Sequence, residues 1–260
     1  MAWPTPWNVR HPNPAEHQAW RNCLQLHDLT LAWLTDLGLD PREFHKALEK
    51  GMSPILAPVF RALELRDFES VLISDQPLEA LDRVHHVAWS LHAWSLKRIL
   101  TKSETPKFES ERAILLNQLE QTSWKAGRAA FAERWSGLHS PRLETGPARP
   151  VETALLALID TFLTGISVAQ DLRPDPFLIR RSLPDTVELE LLRCPHTLPA
   201  LEAESVKDEL CRLHSEWMRG FIYAANPKVV METARKLPES GRCRQVWTLH
   251  SVGISRSSHL

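Results

Sequence analysis

One tyrosine, four cysteines and no long apolar run are what the 260-residue sequence has least of. A membrane-spanning helix needs about 20 consecutive, mostly apolar residues; none occur, so no membrane partner is expected. Four cysteines at wide, irregular spacing argue against the disulfide frameworks that staple small secreted domains. The opening stretch MAWPTPWNVRHP lacks a basic segment followed by an apolar one, so a cytoplasmic, reducing setting is the expectation. No charge of one sign dominates: Lys plus Arg is 31 and Asp plus Glu is 32. Without a global field to draw in polyanions, nucleic acid is not an expected partner. A Gly-rich phosphate loop, GxSxG and HExxH are also absent. Nucleotide-binding, serine-hydrolase and zinc-peptidase readings therefore have no support.

Tryptophan, in contrast, is plentiful. Ten are spread along the chain, from Trp3 to Trp247. Dispersal of that kind suits helix packing better than a single stacking platform.

The chain begins with an arm of four prolines in its first 14 residues. From Ala15 to Leu37 the pattern is helical: Trp20, Cys23, Leu24, His27, Leu31 and Leu34 recur at spacings of three and four. Leu26, Leu29 and Trp33 widen that face, which implies burial on more than one side. Gly38 ends the helix as a left-handed cap. Asp40-Pro41 starts the next one, with Asp as N-cap and Pro at the first helical position. A further segment follows Ser53-Pro54, and FESVLIS at 68–74 fits either a strand or a helical turn. Pro77 opens a long helix to about Thr101. Its His85, His86 and His92 read better as solvated or core histidines than as metal ligands, since no acid or cysteine accompanies them. KSETPKFES at 102–110 is a polar break. A long helix over about 109–136 follows, with Gly127 marking close approach by another backbone. After a Gly/Pro-rich loop, 151–170 reads as a very apolar helix.

The pattern then changes. Phe177 to Ser182 and Val187 to Arg193 read as a hairpin, with Val187, Leu189 and Leu191 alternating with Glu188 and Glu190. A helix over 205–225 follows, then strands at PKVVMETARK and Cys243 to Leu249. The expected fold class is α+β: a mostly helical N-terminal half, then a helical/antiparallel-sheet domain with two hairpins around a helix. The expected divisions are 1–105 (helical), 106–250 (α+β) and a polar tail over 251–260.

Chemistry concentrates in the second region. Cys194 ends a strand on the parity of Glu188 and Glu190, before Pro195-His196. On the following helix, Cys211, His214 and Met218 form a stripe turned about 100° from the apolar stripe of Leu210, Leu213, Trp217 and Phe221. Cys211 and His214 are three apart and meet one contact point. Three readings follow from these residue types. They are small buried cysteines in a core. Alternatively, Cys194 and Cys211 are thiol nucleophiles, with His214 as base or orienting group. Or Cys194, Cys211, Cys243 and one of His196 or His214 ligate zinc or iron.

Residues 109–249 resemble the L-2-amino-thiazoline-4-carboxylic acid hydrolase-like family, which is itself similar to the 4-vinyl reductase domain group. The residues that carry the likeness are WKAGRAAFAERW, RCPH, ELCRLH running to FIYAANP, KVVMETARKL and SGRCRQVWTL, with Cys194, Cys211 and Cys243 in order. Two positions depart from the pattern: His214 stands in place of an acid, and Gly241-Arg242 in place of Gly-Asp. The resemblance implies a small-molecule enzyme that hydrolyses a C–N bond of a heterocycle or amide. It is equally compatible with a non-catalytic accessory subunit or ligand-binding module, whose Trp-rich helical half docks a partner protein or peptide. A metal-binding sensor is the third expectation.

Overall fold

The computed structural model describes residues 14–51, 57–69, 77–101, 109–136, 177–183, 186–191, 206–225, 227–237 and 242–249. The apolar helix read over 151–170 and the arm before residue 14 lie outside them. Six helices are present among the described residues: α1 (Pro14–Asp36), α2 (Pro41–Gly51), α3 (Ala57–Leu65), α4 (Pro77–Thr101), α5 (Glu109–Ser136) and α6 (Lys207–Ala225).

Local chemistry sets the helix ends. Gly38 has φ +66°, and two hydrogen bonds close the end of α1. Gly38 N–H donates to the Thr35 carbonyl (3.0 Å) and Leu39 N–H to the Leu34 carbonyl (2.8 Å). That is the double bond pattern of a Schellman cap, which a residue without Cβ adopts at least cost. Two residues later, the Asp40 carboxylate accepts from the Arg42 N–H at 2.8 Å and starts α2. The end of α3 uses the same double bond, from Arg66 N–H to Leu63 and from Asp67 N–H to Ala62. Here the left-handed residue is Arg66, at φ 55°, a conformation that costs a side-chain-bearing residue roughly 1 kcal/mol. Its guanidinium pairs with Asp28 of α1 at 2.5 Å, so the turn ties α3 to α1.

One continuous apolar core joins α1, α4, α5 and α6. The helix α4 is central, and most of its described side chains are buried, among them Val84, Val87, Ala88, Trp89, Leu91, Leu96, Ile99 and Leu100. The helix α1 meets α5 through polar contacts as well as apolar ones. Trp33 Nε1 donates to Ser123 Oγ at 2.9 Å, the Thr122 hydroxyl donates to the Asp36 carboxylate, and Gln118 Nε2 donates to the Asp36 carbonyl at 2.9 Å.

The closest packing is between α5 and α6. A Cβ built on Gly127 would overlap the carbonyl of Trp217, and one built on Gly220 would overlap the carbonyl of Trp124. The two glycines therefore let the helix backbones touch at their crossing. Ion pairs from Arg112 to Glu209 and from Glu120 to Arg212 fasten the same two helices nearer the start of α6.

The expected α+β class is corrected by these contacts: the described body is predominantly helical. Short strands lie at Phe177–Leu183 (β1), Thr186–Leu191 (β2), Val229–Leu237 (β3) and Arg242–Leu249 (β4), and their backbones pair antiparallel in the order β1-β2-β4-β3. Among their described side chains, none forms a core of its own. Among the described residues, Val229 and Met231 are the only buried strand side chains, and both join the helical core. The physical reason lies in α6. Read as the helix of a sheet domain, it instead places Leu210, Leu213, Trp217 and Phe221 in the core it shares with α5, α4 and α1. On α5 the apolar residues divide: Leu119 and Ala130 are buried, together with Ser123 and Gly127, whereas Ile114 is 67% exposed.

Gly127→Ala and Gly220→Ala should each cost about 3 kcal/mol or more in urea denaturation, because a backbone carbonyl must move to admit the methyl group. Gly38→Ala, whose added Cβ meets open space, should cost only about 1 kcal/mol through its positive φ. Equal losses at all three positions would count against the glycine crossing.

Candidate functional site

Two of the four cysteines have described side chains, and their surroundings differ. Cys23 of α1 is 1% exposed. Burial pushes its thiol up to about 12, outweighing a backbone hydrogen bond that acts the other way. At neutral pH it is a small apolar core residue. Cys211 on α6 is half-buried and carries no disulfide. Its backbone carbonyl accepts from Ser215 Oγ at 2.8 Å, within the helix.

His214 lies three residues on, also half-buried. Residues so spaced on a helix have Cβ atoms about 5–6 Å apart, so thiol and imidazole share one patch of the α6 surface. Two charged residues of α6 near that patch are engaged with α5: Glu209 with Arg112, and Arg212 with Glu120. The His214 ring packs edge-to-face on Trp89 of α4 (5.7 Å between centroids, 74° between planes) and tilts against Trp217 at 6.0 Å.

Trp89 is itself set by the interior. It meets His92 edge-to-face at 6.0 Å, and His92 stacks on Trp33 at 4.2 Å. His92, read as solvated or core, is a core residue at 1% exposure. Its Nδ1 lies 2.8 Å from Thr30 Oγ1, and Thr30 in turn donates to the Leu26 carbonyl at 3.0 Å. A hydroxyl has one proton, so with that proton on Leu26 it is His92 Nδ1–H that donates to Thr30. A chain of rings thus runs from Trp33 in α1 through His92 and Trp89 to His214 and Trp217.

The other expected site residues are distributed as follows. Cys194 and His196 lie outside the described residues. Cys243 is on β4, with its backbone opposite Leu191 at the end of β2, and its side chain lies outside what is described. Among the described residues no group of three His, Cys, Asp or Glu side chains is arranged to hold a metal ion. Of the expected zinc or iron ligands Cys194, Cys211, Cys243 and His196, only the Cys211 side chain is described. No helix among the described residues is long and apolar enough to cross a membrane.

A second titratable group sits where α1, α2 and α3 meet. His27 of α1 is buried and stacks on His45 of α2 at 5.5 Å. His45 Nδ1 is 2.6 Å from Glu64 Oε1 of α3. Burial, then the charges of His45 and Arg66, lower the His27 pKa to about 4. A histidine held neutral chiefly by burial makes the fold sensitive to pH and is a poor base for neutral-pH chemistry.

The reading of Cys211 and His214 as neighbours comes directly from helix spacing. Trp89 stands in the sequence only as one of ten dispersed tryptophans suited to helix packing. Its spacing from His92, at i and i+3, marks it as a neighbour of that histidine; its contact with His214 is made across more than 120 residues of sequence, and no local pattern encodes it. Comparison with family models, characterised proteins and solved structures gives no match.

His27 gives a pH dependence of defined sign. Its pKa is about 4 in the fold against 6.5 for the unconstrained group. As pH falls below about 6.5 the unfolded chain takes up a proton that the fold refuses. Stability should therefore drop by roughly 1.4 kcal/mol per pH unit between about pH 6.5 and 4, then level off. Urea midpoints measured over that range should show the slope in the parent protein, and its loss in His27→Leu relative to that variant's own stability at pH 7.

Proposed function

We propose that the chain is a cytoplasmic small-molecule enzyme with a cysteine nucleophile, hydrolysing a C–N bond of a heterocycle or amide. Cys211 is the nucleophile and His214 the base. The observation that carries this reading is a half-buried thiol one helical turn from an imidazole held edge-on against an indole. Cys211 is also the accessible one of the two thiols with described side chains.

The chemistry follows from those two groups. His214 takes the thiol proton, and the thiolate adds to the electrophilic carbon of the substrate. The C–N bond then breaks, with His214 returning the proton to the departing nitrogen. Water, deprotonated by the same imidazole, hydrolyses the thioester and releases the thiol. Cys194, placed by the sequence just beyond β2, is the second nucleophile candidate.

A non-catalytic module that binds a partner protein or peptide is the second reading. Exposed Arg128 lies 4.9 Å from the Trp124 ring and 5.6 Å from that of Tyr223. Such a pairing is worth about 0.5–1 kcal/mol to the fold, and aromatic and arginine side chains are the types enriched at protein interfaces.

Native-state alkylation with iodoacetamide, mapped by mass spectrometry, separates the two readings. The enzyme reading expects Cys211 to react at neutral pH and buried Cys23 to stay unmodified. His214→Gln should slow Cys211 alkylation by roughly tenfold or more, less than the about 10²–10⁴-fold of full general acid–base catalysis because only thiolate formation is involved. Cys211 as inert as Cys23 would remove the nucleophile and leave the binding module.

A further inference from the structure

We infer that Trp89 is a positioning residue for His214, holding the imidazole over the Cys211 face of α6. The inference rests on the reading of Cys211 and His214 as a working pair and assigns them a third partner on a different helix. Trp89 is 5% exposed, so its indole is buried while the two residues it serves reach the surface.

Its orientation is set from behind. The Leu26 carbonyl holds the Thr30 hydroxyl, Thr30 holds His92 Nδ1, and Trp33 covers the His92 ring from 4.2 Å. Trp33 is in turn fixed by its hydrogen bond to Ser123 Oγ, whose own proton goes to the Leu119 carbonyl at 2.8 Å. His92 then meets Trp89 at 82° between planes, and Trp89 meets His214 at 74°. Both contacts have the edge-to-face geometry that aromatic quadrupoles favour. A ring gripped in this way has few orientations left, and a base with few orientations loses less freedom when it engages its nucleophile. The indole meets two imidazoles edge-to-face, His92 buried in the core and His214 half-buried on α6.

Two measurements on the full chain test this. The first is the proton spectrum of His214, assigned by comparison with His214→Gln. Edge-on packing against an indole displaces the imidazole resonances from their exposed positions. Trp89→Phe keeps an aromatic face and should keep most of that displacement, whereas Trp89→Leu should remove Trp89's share and leave only that of Trp217. The second is the rate of Cys211 alkylation by iodoacetamide. It should stay within about twofold of the parent in Trp89→Phe and fall by roughly tenfold in Trp89→Leu, as expected for a displaced base. The positioning role is overturned if Trp89→Leu, folded by circular dichroism, leaves the His214 resonances or the alkylation rate at parent values. A parent protein whose Cys211 does not react overturns the nucleophile reading instead. The His214 resonances then still report by themselves whether Trp89 holds the ring.

Discussion

The contact of α5 with α6 at Gly127 and Gly220 is the constraint on which the rest of the molecule depends. Two helix backbones come together there with no side chain between them. Because the glycines face the partner's carbonyl-bearing backbone at Trp217 and Trp124, the axial register of the two helices is set as well as their separation. That register brings Glu209 to Arg112 and Arg212 to Glu120. It also directs Leu213, Trp217 and Phe221 into the shared core, which leaves Cys211 and His214 on the flank, where α4 approaches. The candidate site is thus a by-product of how closely α5 and α6 can pack.

The junction of α1, α4 and α5 is partly polar: buried Thr30 pairs with His92 and buried Trp33 with Ser123, while Thr122 donates to exposed Asp36. A buried polar group costs stability unless it is satisfied, so each pair selects one arrangement of its helices over slipped alternatives. Leucine packing alone would tolerate a shift of one residue more readily. The ring chain from Trp33 to Trp217 inherits this definition. His214, its surface member, is accordingly more constrained than an ordinary half-exposed histidine.

The corrected fold changes what the family resemblance can support. The likeness was to a region containing a sheet domain built around the helix that carries Cys211. In the structure that helix belongs to the helical core, and the strands reach the core through Val229 and Met231. The proposed chemistry therefore stands on the local pairing of Cys211 with His214 and on the indole beside them, and it borrows no geometry from the resemblance.

Local features were legible from the sequence because their causes are local. Gly38 ends α1 since a left-handed residue without Cβ costs least there, and Asp40-Pro41 starts α2 since a carboxylate caps the exposed N–H groups. Cys211 and His214 share a face because helical geometry places i and i+3 together. Gly127 could be read as a point of close approach, because a glycine inside a helix needs a compensating contact. What the sequence could not supply was the partner: Gly220, across more than 90 residues. Hydrophobic periodicity marks the inner face of α5 only in part, because Thr122, Ser123 and Gly127 share it with Leu116, Leu119 and Ala130 while Ile114 points to solvent. Helix ends and helix faces follow from the chain itself. Which face is buried, which helix lies against it and which indole stands beside His214 are settled only when distant backbones pack, since close packing depends on the shape of both surfaces at once.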